Sequence, residues 1–143
     1  MNRLANRAVR LLGRIGEPRL RELGLSLAQL PVLAALERGG SLPQKELARS
    51  ARIEQPTMAE MLKRMKRDGL VRTTKNPDDG RSQLVSLTKT ATSRIAEVHA
   101  LQNQGNREAL AGFSAKDAET LKALLARMVE NLERLDPSTQ PIG

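Results

Sequence analysis

One stretch of this chain departs from helical periodicity, and it constrains the fold more than any other feature. Val71, Thr73 and Lys75 alternate with Arg72 and Thr74, as successive residues of a strand do. Alternation returns over residues 82–87, where Leu84 and Leu87 bracket Val85. Between the two lies Asn76-Pro77-Asp78-Asp79-Gly80, five residues dense in turn formers. Two alternating runs joined by Asp-Gly turn chemistry predict a β-hairpin. Nearly everything else has helical spacing, so the expected fold class is mainly α with a small β-hairpin wing.

The helical segments follow from spacing and punctuation. Residues 3–23 carry Leu4, Ala8, Leu11, Leu12 and Ile15 on one face. Gly13, Gly16 and Pro18 weaken that helix, and a kink or break is expected near Gly16–Pro18. Ser26 is an N-cap for a helix over residues 27–38, which Gly39-Gly40 ends. Ser41-Leu42 reads as a short extended piece. Pro43 is expected at the first turn of a helix over residues 44–50. A fourth helix opens at Gln55-Pro56-Thr57, turns Met58, Met61, Leu62 and Met65 inward, and stops at Gly69. Thr88 caps a long helix reaching about residue 110. Ser114 with Asp117 makes a capping-box-like start for the last one, which carries Leu121, Leu124, Leu125, Met128, Val129, Leu132 and Leu135. Asp136-Pro137 stops it, and a frayed tail is expected beyond.

Composition narrows the function. With no Cys there is no disulfide, thiolate zinc site or thiol switch, and with His99 the sole histidine a multi-His metal site is excluded. No cofactor is expected. No apolar run approaches the roughly 20 residues of a membrane span, so no membrane partner and a cytoplasmic location are expected. One aromatic residue, Phe113, cannot make a base-stacking platform for single strands. The net charge of +8 is unevenly spread: residues 1–43 carry +4, residues 44–94 carry +6 and residues 95–143 carry −2. A basic region of this kind points to a polyanion, with DNA first.

Residues 41–88 combine these signals as short strand, helix, turn, helix, strand, wing turn, strand. That is a winged helix-turn-helix order, in which the second helix can enter the major groove and the hairpin can lie beside the duplex. Pro77-Asp78-Asp79-Gly80-Arg81, five residues, then Leu87-Thr88 resembles the Asp-x-Arg-x5-Leu-Thr wing signature of MarR-family transcription regulators. Residues 54–72, EQPTMAEMLKRMKRDGLVR, resemble that family's recognition helix and its Gly-Leu-Val-x-Arg exit. Ala91 stands where the family usually has Gly, and the aromatic residues that commonly line its ligand pocket are nearly absent.

The resemblance implies a homodimer held by N- and C-terminal helices, a pseudo-palindromic duplex operator, repression of a neighbouring gene, and release by a small-molecule effector. It implies dimerisation segments at residues 1–25 and 91–143 flanking a DNA-binding lobe at residues 26–90. Without Cys, thiol oxidation is no route to release. With so few rings, an effector pocket must be built from aliphatic and Arg side chains.

Site residues follow from position. Gln55, Pro56 and Thr57 open the recognition helix towards base edges, where Gln pairs with adenine and the Thr methyl meets thymine. Ala59 and Lys63 share the outward face; Glu60 is expected to pair with Lys63 or Arg64. Arg81 at the wing tip is placed for the minor groove. Asp79 supports the wing turn, alternatively through an ion pair to Arg81. Arg49, Arg52, Arg64, Arg72 and Lys75 are expected at the DNA backbone. Leu4, Leu11, Leu121, Leu125, Met128 and Leu132 are expected in the dimer seam. The alternative function is a non-specific architectural DNA-binding protein. An enzyme is not expected: there is no nucleophile–base set, no Gly-rich phosphate loop, and no partner carboxylate for Asp78 or Asp79.

Overall fold

The computed structural model describes residues 1–137, which form six α-helices and a three-stranded sheet. The residues expected to fray lie outside these, from 138 onward. The chain divides into two compact units, residues 1–105 and residues 106 onward, with the boundary inside one helix.

The first unit begins with α1 (Asn2–Glu22), which runs through Gly13, Gly16 and Pro18 without a break. The expected interruption is overridden by tertiary anchors. Leu20 is buried in the core. A Cβ built on Gly13 would lie 3.6 Å from Leu27 Cδ1, and one on Gly16 would lie 3.9 Å from Cδ2. The two glycines thus form a shallow seat for Leu27. The Leu27 N–H also donates to Glu17 Oε2 at 3.1 Å, tying the helix to the next segment.

The helix expected over residues 27–38 is split into a 3₁₀ turn, Leu27–Gln29, and α2 (Leu30–Gly39). Pro31 explains the split, because it has no N–H to bond the carbonyl of Leu27 in a continuous α-helix. Ser26 does begin this segment, and its N–H donates to Gln29 Oε1 at 3.0 Å. Next come β1 (Ser41–Pro43), α3 (Gln44–Ala51), α4 (Gln55–Arg67), β2 (Val71–Lys75), β3 (Gln83–Leu87) and α5 (Lys89–Ala109). Pro43 is not in the first turn of α3 but is its N-cap; it is extended because it still pairs with Leu84 across the sheet.

The sheet order is β1-β3-β2, all antiparallel, so the hairpin gains a third strand. Ser41, Ser86 and Arg72 stand in register across it, as do Leu42, Val85 and Thr73. Val71 and Val85 are buried, placing one sheet face on the core. That core joins Leu33 and Leu36 of α2, Leu47 of α3, Met58, Leu62 and Met65 of α4, and Ala91, Ile95 and Val98 of α5. Met61 is only half-buried at its edge. Ala91 is buried, so its methyl packs in the core.

The second unit contains α6 (Ala115–Leu135). Its cap is reciprocal: the Asp117 N–H donates to Ser114 Oγ at 3.1 Å, and the Ser114 N–H donates to Asp117 Oδ2 at 3.2 Å. These bonds from Ser114 hold the Asp117 carboxyl below its ordinary pKa. No residue of α6 is buried within the chain.

Candidate nucleic-acid interface

The turn before α4 is built around Arg52, which adopts φ 56° and ψ 44°. This left-handed residue closes α3, with the Ile53 N–H bonding the Ala48 carbonyl at 2.9 Å. Two residues later Glu54, with extended backbone, caps α4 without a side-chain cap bond. Pro56 sits in the first turn, where its missing N–H removes nothing. The first turn of α4 therefore presents N–H groups that no side-chain cap claims, together with the positive end of the helix dipole.

Every third or fourth residue of α4 is sealed inward at Met58, Leu62 and Met65. The opposite face is polar and open: Gln55, Thr57, Ala59 and Lys63 are all exposed. No hydrogen bond or ion pair among the described residues engages the side chains of Gln55, Thr57 or Lys63. The ion pair expected for Glu60 does not form among the described residues. Arg64 Nε instead reaches the Glu60 backbone carbonyl at 3.5 Å, because one helical turn brings it over that oxygen.

The exit of α4 is fastened at three points. Gly69 takes φ 74°, which a side chain would strain, and so ends the helix. Lys66 Nζ donates to Thr73 Oγ1 at 3.0 Å, joining α4 to β2. Thr88 Oγ1 donates to the Gly69 carbonyl at 2.6 Å and accepts the Ala91 N–H at 3.2 Å. One hydroxyl thus caps α5 and pins the end of α4.

The wing loop, residues 76–82, holds itself together. Asp79 Oδ1 accepts the Arg81 N–H at 3.0 Å, and the Asp79 carbonyl accepts the Ser82 N–H at 3.1 Å. Asn76 Nδ2 donates to Ser82 Oγ at 2.9 Å, and Asn76 Oδ1 accepts the Asp78 N–H at 3.0 Å. Asp79 therefore engages the backbone of Arg81 and not its guanidinium, which stands exposed and has no partner among the described residues. Lys75 lies beside the loop, with Cε 3.7 Å from the place a Cβ on Gly80 would occupy.

Comparison with known proteins places this arrangement. A model of the MarR family matches residues 23–82. The uncharacterized HTH-type transcriptional regulator YwoH of Bacillus subtilis (strain 168) is 30% identical over 125 residues, spanning 87% of this chain and 90% of that protein. The chain belongs to the MarR family of transcription regulators. The crystal structure of a probable transcriptional regulator from Pseudomonas aeruginosa superposes with TM-score 0.78 at 30% identity, covering 90% of this chain and 96% of that one. A mutant MarR from E. coli complexed with operator DNA gives 0.79 at 26% identity, covering 89% and 91%.

Within this MarR-family protein the expected site residues do not all gather. Gln55, Pro56, Thr57, Ala59 and Lys63 share α4, and Lys75, Asp79 and Arg81 share the wing tip. Arg49 is exposed in the last turn of α3, and Arg52 forms the bend that follows. Arg72 stands apart. Strand parity puts it on the sheet face opposite Thr73, the residue that Lys66 of α4 grips. There Arg72 Nε donates to Ser86 Oγ at 3.3 Å.

Sequence reasoning missed the pair Glu37–His99. His99 Nε2 lies 3.0 Å and 3.2 Å from the two Glu37 carboxylate oxygens, bridging α5 and α2. The Glu37 carboxylate, first as hydrogen-bond acceptor and then through its charge, raises the His99 pKa. No sequence signal links residues 62 positions apart. Among the described residues no helix is long and apolar enough to cross a membrane, and no cluster of acidic or His side chains suits a metal ion.

Proposed function

We propose that this regulator acts as a homodimer whose two α4 helices and wings read the half-sites of a pseudo-palindromic duplex operator, repressing a neighbouring gene in the cytoplasm. The observation that carries this is α4 itself. Its apolar face is consumed by the core, while among the described residues the exposed side chains of Gln55, Thr57 and Lys63 engage no partner and no side-chain cap claims the N–H groups of its first turn. Gln55, Pro56, Thr57, Ala59 and Lys63 are assigned to bases, and Arg81 to the minor groove, with Asp79 holding its turn. Arg49, Arg52, Arg64 and Lys75 are assigned to phosphates. Arg72 was expected there too, but its sheet face favours another role. Release by a small-molecule effector completes the proposal.

Dimerisation rests on exposed apolar surface. On α1, Leu4 is 75% exposed, and Leu11, Leu12 and Ile15 about half. On α6, Leu121, Leu124, Leu125, Val129 and Leu132 are exposed along one face, with Met128 half-buried among them. Patches of this extent on a soluble chain mark a protein partner, and a second copy presents the same two helices.

Competition separates this function from non-specific architectural binding. An operator selected from random duplexes is expected to survive an excess of unrelated duplex by about 10³-fold. Equal competition by both duplexes contradicts the operator proposal.

A further inference from the structure

One face of α1 is built from arginine alone. Arg3, Arg7, Arg10, Arg14 and Arg21 are spaced by four, three, four and seven residues. With about 3.6 residues per turn these side chains fall within an arc of about 60°, and no other residue of α1 shares that arc. Arg3 to Arg14 spans about 16 Å along the helix axis, and Arg21 extends the line to about 27 Å. All of them are exposed, and no hydrogen bond or ion pair among the described residues engages their side chains. No acidic residue precedes Glu17, and Glu17 is turned to the Leu27 N–H, with Oε2 at 3.1 Å.

The arrangement works against the helix that carries it. Arg3 and Arg7, Arg7 and Arg10, and Arg10 and Arg14 are like-charge neighbours one turn apart, which weaken a helix. Arg3 also stands at the positive end of the helix dipole, where the first turn holds no acidic residue. Other faces of α1 are already used. Leu20 enters the core and the two glycines seat Leu27, while Leu4, Leu11, Leu12 and Ile15, proposed for the dimer seam, lie outside the arginine arc.

We propose that the arginine face of α1 is a second, sequence-independent binding surface for duplex DNA, holding backbone phosphates apart from α4 and the wing. Two features select a duplex over other polyanions. The helix carries Arg and no Lys, and a guanidinium fork matches two phosphate oxygens at once. The face contains no apolar side chain, so an acidic peptide finds nothing to bury against, whereas a rigid backbone of repeating charge meets a row of cations. A membrane surface needs the apolar side of the same helix as well, and that side is proposed for the seam. Phosphate contacts carry no sequence information, so this surface does not depend on operator reading by α4.

The test is the affinity of the full chain for a long unrelated duplex across a salt series. The ladder variant combines Arg3→Gln, Arg7→Gln, Arg10→Gln and Arg14→Gln, with Gln chosen because it keeps helix propensity. A charge-matched control combines Arg107→Gln, Lys116→Gln, Lys122→Gln and Arg127→Gln, exposed cations off the ladder. The ladder variant is expected to bind about tenfold or more weakly at moderate salt, with the log–log slope reduced by about three. The control is expected to stay near the parent. Arg7→Gln with Arg10→Gln alone is expected to give about half the slope change, so the result does not hang on one heavily altered chain. Equal losses in ladder and control variants overturn the proposal, because net charge then explains both; so does parent-like binding by the ladder variant. Vesicles containing phosphatidylglycerol that bind the parent but not the ladder variant, with duplex binding unchanged, overturn it in favour of a membrane contact. A chain that needs the ladder for unrelated duplex but discriminates no operator keeps this surface and loses the operator proposal. One that discriminates an operator and is indifferent to the ladder does the reverse.

Discussion

At the scale of the residue, Thr88 and His99 each join elements that their neighbours in sequence do not predict. Thr88 was legible as a cap, yet its hydroxyl also holds the Gly69 carbonyl, nineteen positions away. His99 is a lone histidine whose partner is set wholly by tertiary structure. Its raised pKa has a definite consequence. A group whose pKa is higher folded than unfolded stabilises the fold fully below the unfolded value, near 6.5. That contribution is lost as pH rises through the folded value. Both side chains are exposed, so the stabilisation is small and the titration itself is the better readout. An NMR titration is expected to place His99 above the usual histidine value and to bring it back in Glu37→Gln. An unchanged His99 titration in that variant contradicts the pairing.

At the scale of the element, α4 and α1 show where local signals suffice and where they do not. The start, inward face and end of α4 all follow from Pro56, the Met58–Leu62–Met65 spacing and Gly69, because each acts within the helix. A kink or break was expected in α1 from the same kind of local signal, and the helix is not broken. Gly13, Gly16 and Pro18 do weaken a helix, but Leu20 in the core and Leu27 against the glycines outweigh them. The split before α2 was legible in Pro31 and was overlooked. The glycines of α1 invite a direct test. A methyl on Gly13 meets Leu27 at ordinary contact distance, 3.6 Å. Gly13→Ala is therefore expected to raise stability by about 1 kcal/mol through helix propensity, measured by denaturant unfolding at fixed protein concentration. A loss of stability means that Leu27, or a partner, needs the bare glycine.

The candidate site was legible to the same degree. Gln55, Thr57, Lys63 and Arg81 were identified from helix position and turn chemistry, and all four are exposed. The row of Ser41, Ser86 and Arg72 was not, because it depends on the register of three strands, and register is not written in any one of them.

At the scale of the whole molecule, the residues assigned to DNA by α4 and the wing and the exposed apolar surface occupy different elements. The largest basic excess, +6, lies in residues 44–94, which contain α4 and the wing, and residues 1–43 add +4. Among the described residues, the large exposed apolar side chains, Leu27 and Phe113 excepted, lie on α6, on α1 or at Met1 just before it. If that surface is the dimer seam, a charge at its centre must open it. Leu125→Asp is expected to convert a dimer into a monomer or an unfolded chain in light scattering after size exclusion, with operator binding lost. A stable dimer of unchanged affinity contradicts the assignment of α6.

Operator reading is proposed to rest on α4 and the wing together. The most direct measurement is operator affinity across a salt series for the parent, Lys63→Ala and Arg81→Ala. For the parent, affinity is expected to fall steeply with salt, by a log–log slope of about 0.9 per phosphate neutralised. Lys63→Ala is expected to weaken binding by about 1–3 kcal/mol and to relax the base preference opposite it. Arg81→Ala is expected to weaken binding by about 1–3 kcal/mol, roughly tenfold or more, at moderate salt. Parent-like affinity in both variants contradicts that proposal.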